Sequence, residues 1–547
     1  MVGMQIDVHV NSPEWHQQET PHGLLTWRGY PTSVDELAGT LASVAAGNTR
    51  PAIADLTGHW SAILQTPSGV VAAQDVVRSW PIFIVECGAD RFLVTEDIET
   101  ATAARATAVG SKTAPLDPSA VDEFLNLGYV TGEDTLFTGI TQVQSCEARF
   151  LPLSGAPFSY LHPVPRHDVP GIANDDEADA VFSQGLTTVL DRMFAALGEQ
   201  QIVLPLSGGL DSRLLAVELK DRGYENVVAF TYGVAETAEV QISREVAEAV
   251  GYRWEFIQFT PEEIREAWAT PEAADFIRES YAGSALPHVQ DWYALRELKR
   301  RGLIADGAVF LPGHTVVGAM HNEEVMDYSG LVTRDEITDL ILEHHSSIRP
   351  GVEALLKNDR FIAKIDRFLE AVSYNGTRGD RLMALEYWNV LERQTKYINN
   401  SVRAYEHFGY RWALPMYDKE CFSAWFRLSD DYTLDREWYR RFVNRRYEAT
   451  TGKKISTFEG FAAANIAQSK RDKVKSVLRA LGLLTFVERK IRAQAVAHHP
   501  MALNEFIGTA TAKDLQRYVM RGGSPLGLYA EQFIADTWNP HVELFTK

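Results

Sequence analysis

The strongest chemical signal in the chain is the run Ser207-Gly208-Gly209-Leu210-Asp211-Ser212. Two adjacent glycines let a backbone turn sharply and leave no Cβ between it and a ligand. Where such a turn opens a helix, the unpaired N–H groups form an anion nest that the helix dipole strengthens. Ser207 and Ser212 add hydroxyl donors. Asp211 is the odd member, because a carboxylate repels phosphate. Its place makes sense if it holds Mg2+, which bridges phosphate oxygens. The spacing is not GxxxxGK[ST], so this is not a Walker loop.

The elements around the run fit this chemistry. Ile202-Val203-Leu204-Pro205-Leu206 reads as a short apolar strand, and Arg213 to Arg222 as a helix ended by Gly223. The rhythm repeats downstream. Strands are expected at 226–232, 252–258 and 308–312, with helices at 239–250 and 291–301. This alternation predicts a doubly wound parallel sheet that binds ligands at the carboxyl ends of its strands. Residues 354–450 and 466–495 read as mostly helical. Residues 1–160 instead show short alternating strands, such as 23–27, 60–65 and 91–95, with helices at 33–46 and 122–127. They predict a layered α+β domain. The aperiodic stretch 163–176 is the expected linker.

Composition narrows the function. The chain has 547 residues, 45% hydrophobic and 23% charged, ample for two cores. Its net charge of −20 is poorly suited to nucleic acid, which rewards positive surface. A tRNA-modifying enzyme would call for cysteine pairs or a basic face, and neither is present. Cys87, Cys146 and Cys421 are far apart and form no CxxC, which points to a reducing, cytoplasmic setting. The first residues have no secretory pattern, and no apolar run of about 18 residues predicts a membrane span. Residues 469–492 form a basic amphipathic stretch that would bind an anionic surface, dock on the protein's own acidic face, or be solvated.

The N-terminal motifs carry a resemblance. Gly58 to Leu64, Ala73-Gln74-Asp75, Thr95-Glu96-Asp97 and the stretch 121–152 resemble the glutaminase domain of glutamine-dependent asparagine synthetases. The family's nucleophile is a cysteine exposed as residue 1 after Met removal. Here Val2 occupies that place and no cysteine precedes Cys87. The resemblance therefore implies an Ntn-type layered fold without glutaminase chemistry.

The Ser207–Ser212 run resembles the pyrophosphate loop of ATP-pyrophosphatases, which cleave ATP between the α- and β-phosphates. The domain order resembles the asparagine synthetase superfamily, which includes β-lactam synthetases and lasso-peptide cyclases. It implies a degenerate glutaminase-like domain over 1–162, a linker, and an ATP-pyrophosphatase domain with a helical extension over 177–547. The resemblance assigns ATP to Leu206, Ser207, Gly208, Gly209, Leu210, Asp211 and Ser212, with Thr231 and Gly313, and Mg2+ to Asp211. A second family loop carries an aspartate for Mg2+–pyrophosphate. In Pro312-Gly313-His314-Thr315-Val316-Val317-Gly318 the acidic position is Val317, which cannot bind a hard cation, so Glu323 or Glu324 would have to substitute.

His314 falls where relatives place a catalytic Glu or Tyr, and an imidazole there could accept a proton near neutral pH. Glu343-His344-His345 lies near a second family acid/base position. Lys396 and Arg403 are expected on one helix face two turns apart, with Lys396 a catalytic candidate. Leu414 to Asp418 resembles the family's Pro-Phe-Leu-Asp turn. Where the family has an intermediate-stabilising lysine, this chain offers Arg436, Arg440 or Arg441.

The resemblance implies an ATP-dependent carboxylate–amine ligase working through an acyl-adenylate. Its substrates would be a small-molecule or peptide carboxylate and ammonia or an amine, with a partner glutaminase or homo-oligomer left open. The rival reading is a pseudo-synthetase that binds nucleotide or acts as a scaffold, and Val317 is its best support.

Overall fold

The strand Trp60–Thr66 shows why the N-terminal part is layered. Ala62 and Leu64 join Leu37, Leu41 and Val44 of the helix Val34–Ala45 in one apolar cluster. Ile63, on the opposite face, belongs to the larger core with Ile84, Val94 and Ile140. A strand buried on both faces must lie between two layers. The computed structural model describes residues 4–31, 33–48, 52–161, 171–235, 237–318, 329–346, 348–351, 355, 357–433, 436–454, 484–496 and 503–545.

One antiparallel sheet has six strands, in the order Phe158–Leu161, Glu147–Pro152, Gly69–Gln74, Trp60–Thr66, Gly23–Gly29 and His16–Thr20. The other has four, Gln5–His9, Arg91–Thr95, Phe83–Gly88 and Ile140–Gln142, with the first pair parallel. The helix Val34–Ala45 covers the larger sheet and Ile98–Val109 the smaller. The second of these helices is not expected from the sequence. Its apolar positions, Ile98, Ala101 and Ala106, are mostly alanines that make a weak stripe.

The second part is built on five parallel strands in the order Arg253–Gln258, Val227–Gly233, Ile202–Pro205, Val309–Phe310 and Arg411–Trp412. In chain order this is 3-2-1-4-5, so connections depart in opposite directions from the central strand. The gap between the first and fourth strands is the switch point where such sheets bind ligands. The fourth strand is shorter than expected, and the fifth is two residues with no apolar run to announce it. Helix Leu210–Asp221 packs against Ala238–Val250 and Glu437–Thr451, and helix Asp175–Leu197 packs against Lys419–Phe426.

The expected linker is shortened at its end. Asn174 caps the helix that starts at Asp175, accepting from the Glu177 N–H, so Asp175 and Asp176 are helical. Residues 162–170 lie outside the described residues.

The two parts are joined by buried polar contacts. Lys364 Nζ meets Glu123 Oε1 at 2.6 Å and Asp134 Oδ2 at 2.8 Å. Tyr129 bridges to Ala285, and Glu392 accepts from the Gly132 N–H. Among the described residues no helix is both long and apolar enough to cross a membrane.

Candidate active site

The loop after the central strand turns at Ser207 and opens the helix Leu210–Asp221, with Gly209 at its N-cap. Ser212 Oγ accepts from the Ser207 N–H at 3.2 Å and sits 3.2 Å from Ser207 Oγ, while the Gly209 N–H donates to Ser207 Oγ at 3.1 Å. Neither glycine lies in the left-handed region. A Cβ on Gly208 would find nothing nearer than the Glu239 Cα at 3.4 Å, an ordinary contact. Packing within the chain therefore does not demand glycine at 208.

The loop after the fourth strand comes against this one. A Cβ on Gly313 would stand 2.9 Å from the Ser212 backbone nitrogen and 3.3 Å from Asp211 Cβ. The first loop thus meets the second across the switch point, and Gly313 is where they touch. Leu206 is buried, its N–H bonded to the Phe230 carbonyl at 2.8 Å, and Thr231 is buried in the neighbouring strand. Any part that Leu206 plays toward a nucleotide must therefore come from its backbone.

Asp211 receives a hydrogen bond from Tyr439 at 2.9 Å. Burial nevertheless pushes its carboxyl up to about 6, with Tyr439, Arg436 and Thr315 pulling the other way. Tyr439 is held by Phe182, Trp438 and Phe442. Of the three candidate arginines, Arg436 is the one that acts on Asp211. Its own backbone is left-handed, φ +57°, and its guanidinium reaches the Val317 carbonyl at 3.5 Å. Arg440 pairs with Glu437, and Arg441 with Asp175, away from the loop.

Val317 is buried at 1% exposure, and its N–H bonds to Thr315 Oγ1 at 2.9 Å. Its side chain serves the core rather than a cation. Glu323 and Glu324 lie outside the described residues. Among the described residues no cluster of three or more acidic, histidine or cysteine side chains could hold a metal. One carboxylate beside a phosphate nest suits a Mg2+ that takes its remaining ligands from nucleotide and water.

Burial pushes His314 down to about 4, with His288 contributing in the same direction. At neutral pH it is an uncharged imidazole whose Nδ1 is buried without a partner. It is suited to hydrogen bonding more than to storing a proton. His288, also pushed down to about 4 by burial and by Arg393, lies with its ring tilted against that of Tyr397, centroids 5.2 Å apart. Nearby, the Tyr405 hydroxyl donates to Asp291 at 2.8 Å, and Tyr232 donates to its other oxygen. His345, at the end of the helix Arg334–His345, shares a 3.0 Å hydrogen bond with Tyr129.

The shared face expected for Lys396 and Arg403 does not form. Residues Asn389–Ile398 are a π-helix followed by a 3-10 turn at Asn399–Ser401, so the angular step differs from that of an α-helix. Lys396 is buried, bonded to Glu392 Oε2 at 2.6 Å and the Gly132 carbonyl at 2.7 Å. Arg403 turns elsewhere, to Glu406 and the Ser79 carbonyl. The cation on this helix that stands free is Arg393, which makes no hydrogen bond or ion pair among the described residues. In the sequence it is one charge among several in Glu392–Lys396, with nothing to mark it.

Burial raises all three thiols, Cys146 to about 12, and both Cys146 and Cys421 are inaccessible. The helix Leu484–Ala495 holds the described part of the basic stretch. Residues 455–483 lie outside the described residues.

Residues 191–314 match the Asparagine synthase family model. The match spans the central strand, the Ser207–Ser212 loop and the fourth strand as far as His314. The chain is similar to an NH3-dependent NAD synthetase from Campylobacter jejuni in complex with the nitrate ion, at 17% identity over 36% of this chain and 83% of that one, TM-score 0.19. It is also similar to NAD+ synthetase from Burkholderia pseudomallei, at 18% identity over 39% and 90%, TM-score 0.18. No curated protein matches the chain.

Proposed function

We propose that the protein is an ATP-dependent amide-forming ligase that joins a carboxylate to an amine through an acyl-adenylate. The family match supports an ATP-using amide-forming ligase in general terms. The observation that carries the finer reading is the junction of the two loops, with Gly313 set against Ser212 and Asp211 at the switch point.

In this reading a substrate carboxylate oxygen attacks the α-phosphorus of ATP, and pyrophosphate leaves with the bonding electrons. The amine nitrogen then attacks the acyl carbon, AMP departs, and the amine proton passes to solvent or a nearby base. The Ser207–Ser212 backbone and hydroxyls hold pyrophosphate, Asp211 would hold Mg2+, and Arg436 adds positive charge beside it. Mg2+ bound there would neutralise developing phosphate charge. His314, kept neutral, orients a reacting group by hydrogen bonding.

The N-terminal layers serve as a glutaminase-like domain without a nucleophile. Burial raises the thiols of Cys87, Cys146 and Cys421 away from the thiolate form. Nitrogen then comes from free ammonia, a substrate amine or a partner glutaminase. The buried Val317 favours a second reading, a nucleotide-binding pseudo-synthetase. Calorimetric ATP binding with and without Mg2+, together with pyrophosphate release over a panel of carboxylates, separates the two. ATP binding with no release from any carboxylate would overturn the ligase reading.

A further inference from the structure

Between the six-stranded sheet and the helices of the second part lies a cavity of about 380 Å3, inside the range of roughly 300–1,000 Å3 typical of small-molecule sites. On its sheet side, Ser159 pairs with Arg149 and Leu161 with Glu147, so these four lining residues share one face of two neighbouring strands. On its helix side, Lys364, Arg367, Phe368 and Ala371 follow the spacing of a single face of the helix Asp359–Ala371. Val372, Tyr387, Trp388 and Leu391 extend the apolar wall.

Most charges in the lining are neutralised within the protein. Arg149 meets Glu133 at 2.6 Å and Glu147 at 2.8 Å. Lys364 meets Glu123 at 2.6 Å and Asp134 at 2.8 Å, and Glu392 meets Lys396 at 2.6 Å. Arg367 is the exception. Among the described residues it makes no hydrogen bond or ion pair, and the Gln144 side-chain amide makes none either. Tyr387 and Trp388 are 0% and 1% exposed, yet Tyr387 Oη and Trp388 Nε1 have no hydrogen-bond partner. The open groups are thus mainly donors, set beside an apolar wall with one uncompensated positive charge. A second cavity of equal volume, around Trp15 and Glu406, lacks this feature: Arg28 and Arg403 pair with Glu406, and Arg278 pairs with Asp275.

We infer that the cavity between sheet and helices binds a small amphipathic anion, an aryl or alkyl body carrying one carboxylate. The body lies against Phe368, Val372 and Leu391, and the carboxylate meets Arg367. A guanidinium offers a carboxylate two parallel N–H donors. A single free cation matches a single negative charge, whereas a phosphate dianion would add charge beside Glu133, Glu147 and Glu392. The site shares no lining residue with the Ser207–Ser212 loop, and the inference does not rest on the ligase reading. Its walls come from both parts of the chain, so a bound ligand bridges them.

The probe is 4-phenylbutyrate, with its neutral amide and 4-phenylbutylamine as controls. Calorimetry on the full-length protein should show saturable binding of the acid, binding of the amide weaker by at least about tenfold, and none of the amine. Arg367→Gln should weaken the acid by at least about tenfold and leave the amide as in wild type, and Arg367→Lys should recover part of the loss. Ala371 is exposed, so Ala371→Trp should fold normally by urea denaturation while filling the cavity and abolishing binding of acid and amide alike. An acid that does not bind, an amide that binds wild type equally well, or an affinity for the acid unchanged in either Arg367→Gln or Ala371→Trp overturns the inference.

Discussion

Gly313 and Ser212 touch where no side chain fits, since a Cβ on Gly313 would lie 2.9 Å from the Ser212 backbone nitrogen. The obstacle is backbone, which cannot rotate away. Gly313→Ala should therefore force the two loops apart and weaken ATP binding at least tenfold, about 1.4 kcal/mol. The cost in folding should be about 1–3 kcal/mol. Calorimetry with ATP and urea denaturation check both; unchanged ATP affinity would show that the loop junction does not shape the site.

Gly208 should behave in the opposite way. A Cβ there meets only ordinary contacts with Glu239 and Ile242. Gly208→Ala should fold with a change under about 1 kcal/mol and still lose ATP affinity, and Gly208→Val should lose more. A variant that binds ATP normally would remove the loop from the nucleotide site.

Asp211 gives the site its acid limb. Its carboxyl titrates at about 6 in the folded protein, above the ordinary 3.8, because burial penalises the charge. Mg2+-dependent ATP binding should rise as pH passes upward through about 6. Tyr439→Phe removes a hydrogen bond to the carboxylate and should move that limb to higher pH. For stability the sign reverses. The protonated form favours folding, and this advantage is lost as pH rises through about 6, so Asp211→Asn should stabilise the protein at pH 7.5 by about 1–2 kcal/mol. Titrating binding and urea stability between pH 5 and 8 tests both.

His288, His314 and His345 make stability sensitive to acid. His288 and His314 sit at about 4 and His345 at about 3, all below the ordinary 6.5 through burial. The unfolded chain takes up these protons first. Stability is complete above about 6.5 and is lost as pH falls toward 4, with a slope on the order of 2–4 kcal/mol per pH unit. His345→Gln should flatten this slope by roughly a third, one histidine of three. Equal slopes for variant and wild type would mean that His345 is not held neutral.

Lys396 should prove structural. Its ammonium is bonded to Glu392 and to the Gly132 carbonyl, and it is 2% exposed. Lys396→Met leaves Glu392 buried without its cation and should cost about 3–5 kcal/mol. ATP affinity per folded molecule should hold. A stable variant with abolished pyrophosphate release would return Lys396 to the chemistry.

Local pieces of this protein are written in the order of its residues. An apolar strand, a glycine pair and a helix in succession require only neighbours along the chain, and so 202–221 is legible from the residues alone. The alternating strands of 60–66 are legible for the same reason. Long-range packing settles the rest. Tyr439 reaches Asp211 across 228 residues, and no spacing rule connects them. The fifth strand, Arg411–Trp412, exists only because Val309–Phe310 offers it an edge. Lys396 and Arg393 look alike as charges three residues apart, but Glu392 and Gly132 neutralise one while no described group meets the other. Lys396 finds its carboxylate on its own helix, at Glu392, and its second acceptor only in the Gly132 carbonyl, 264 residues away.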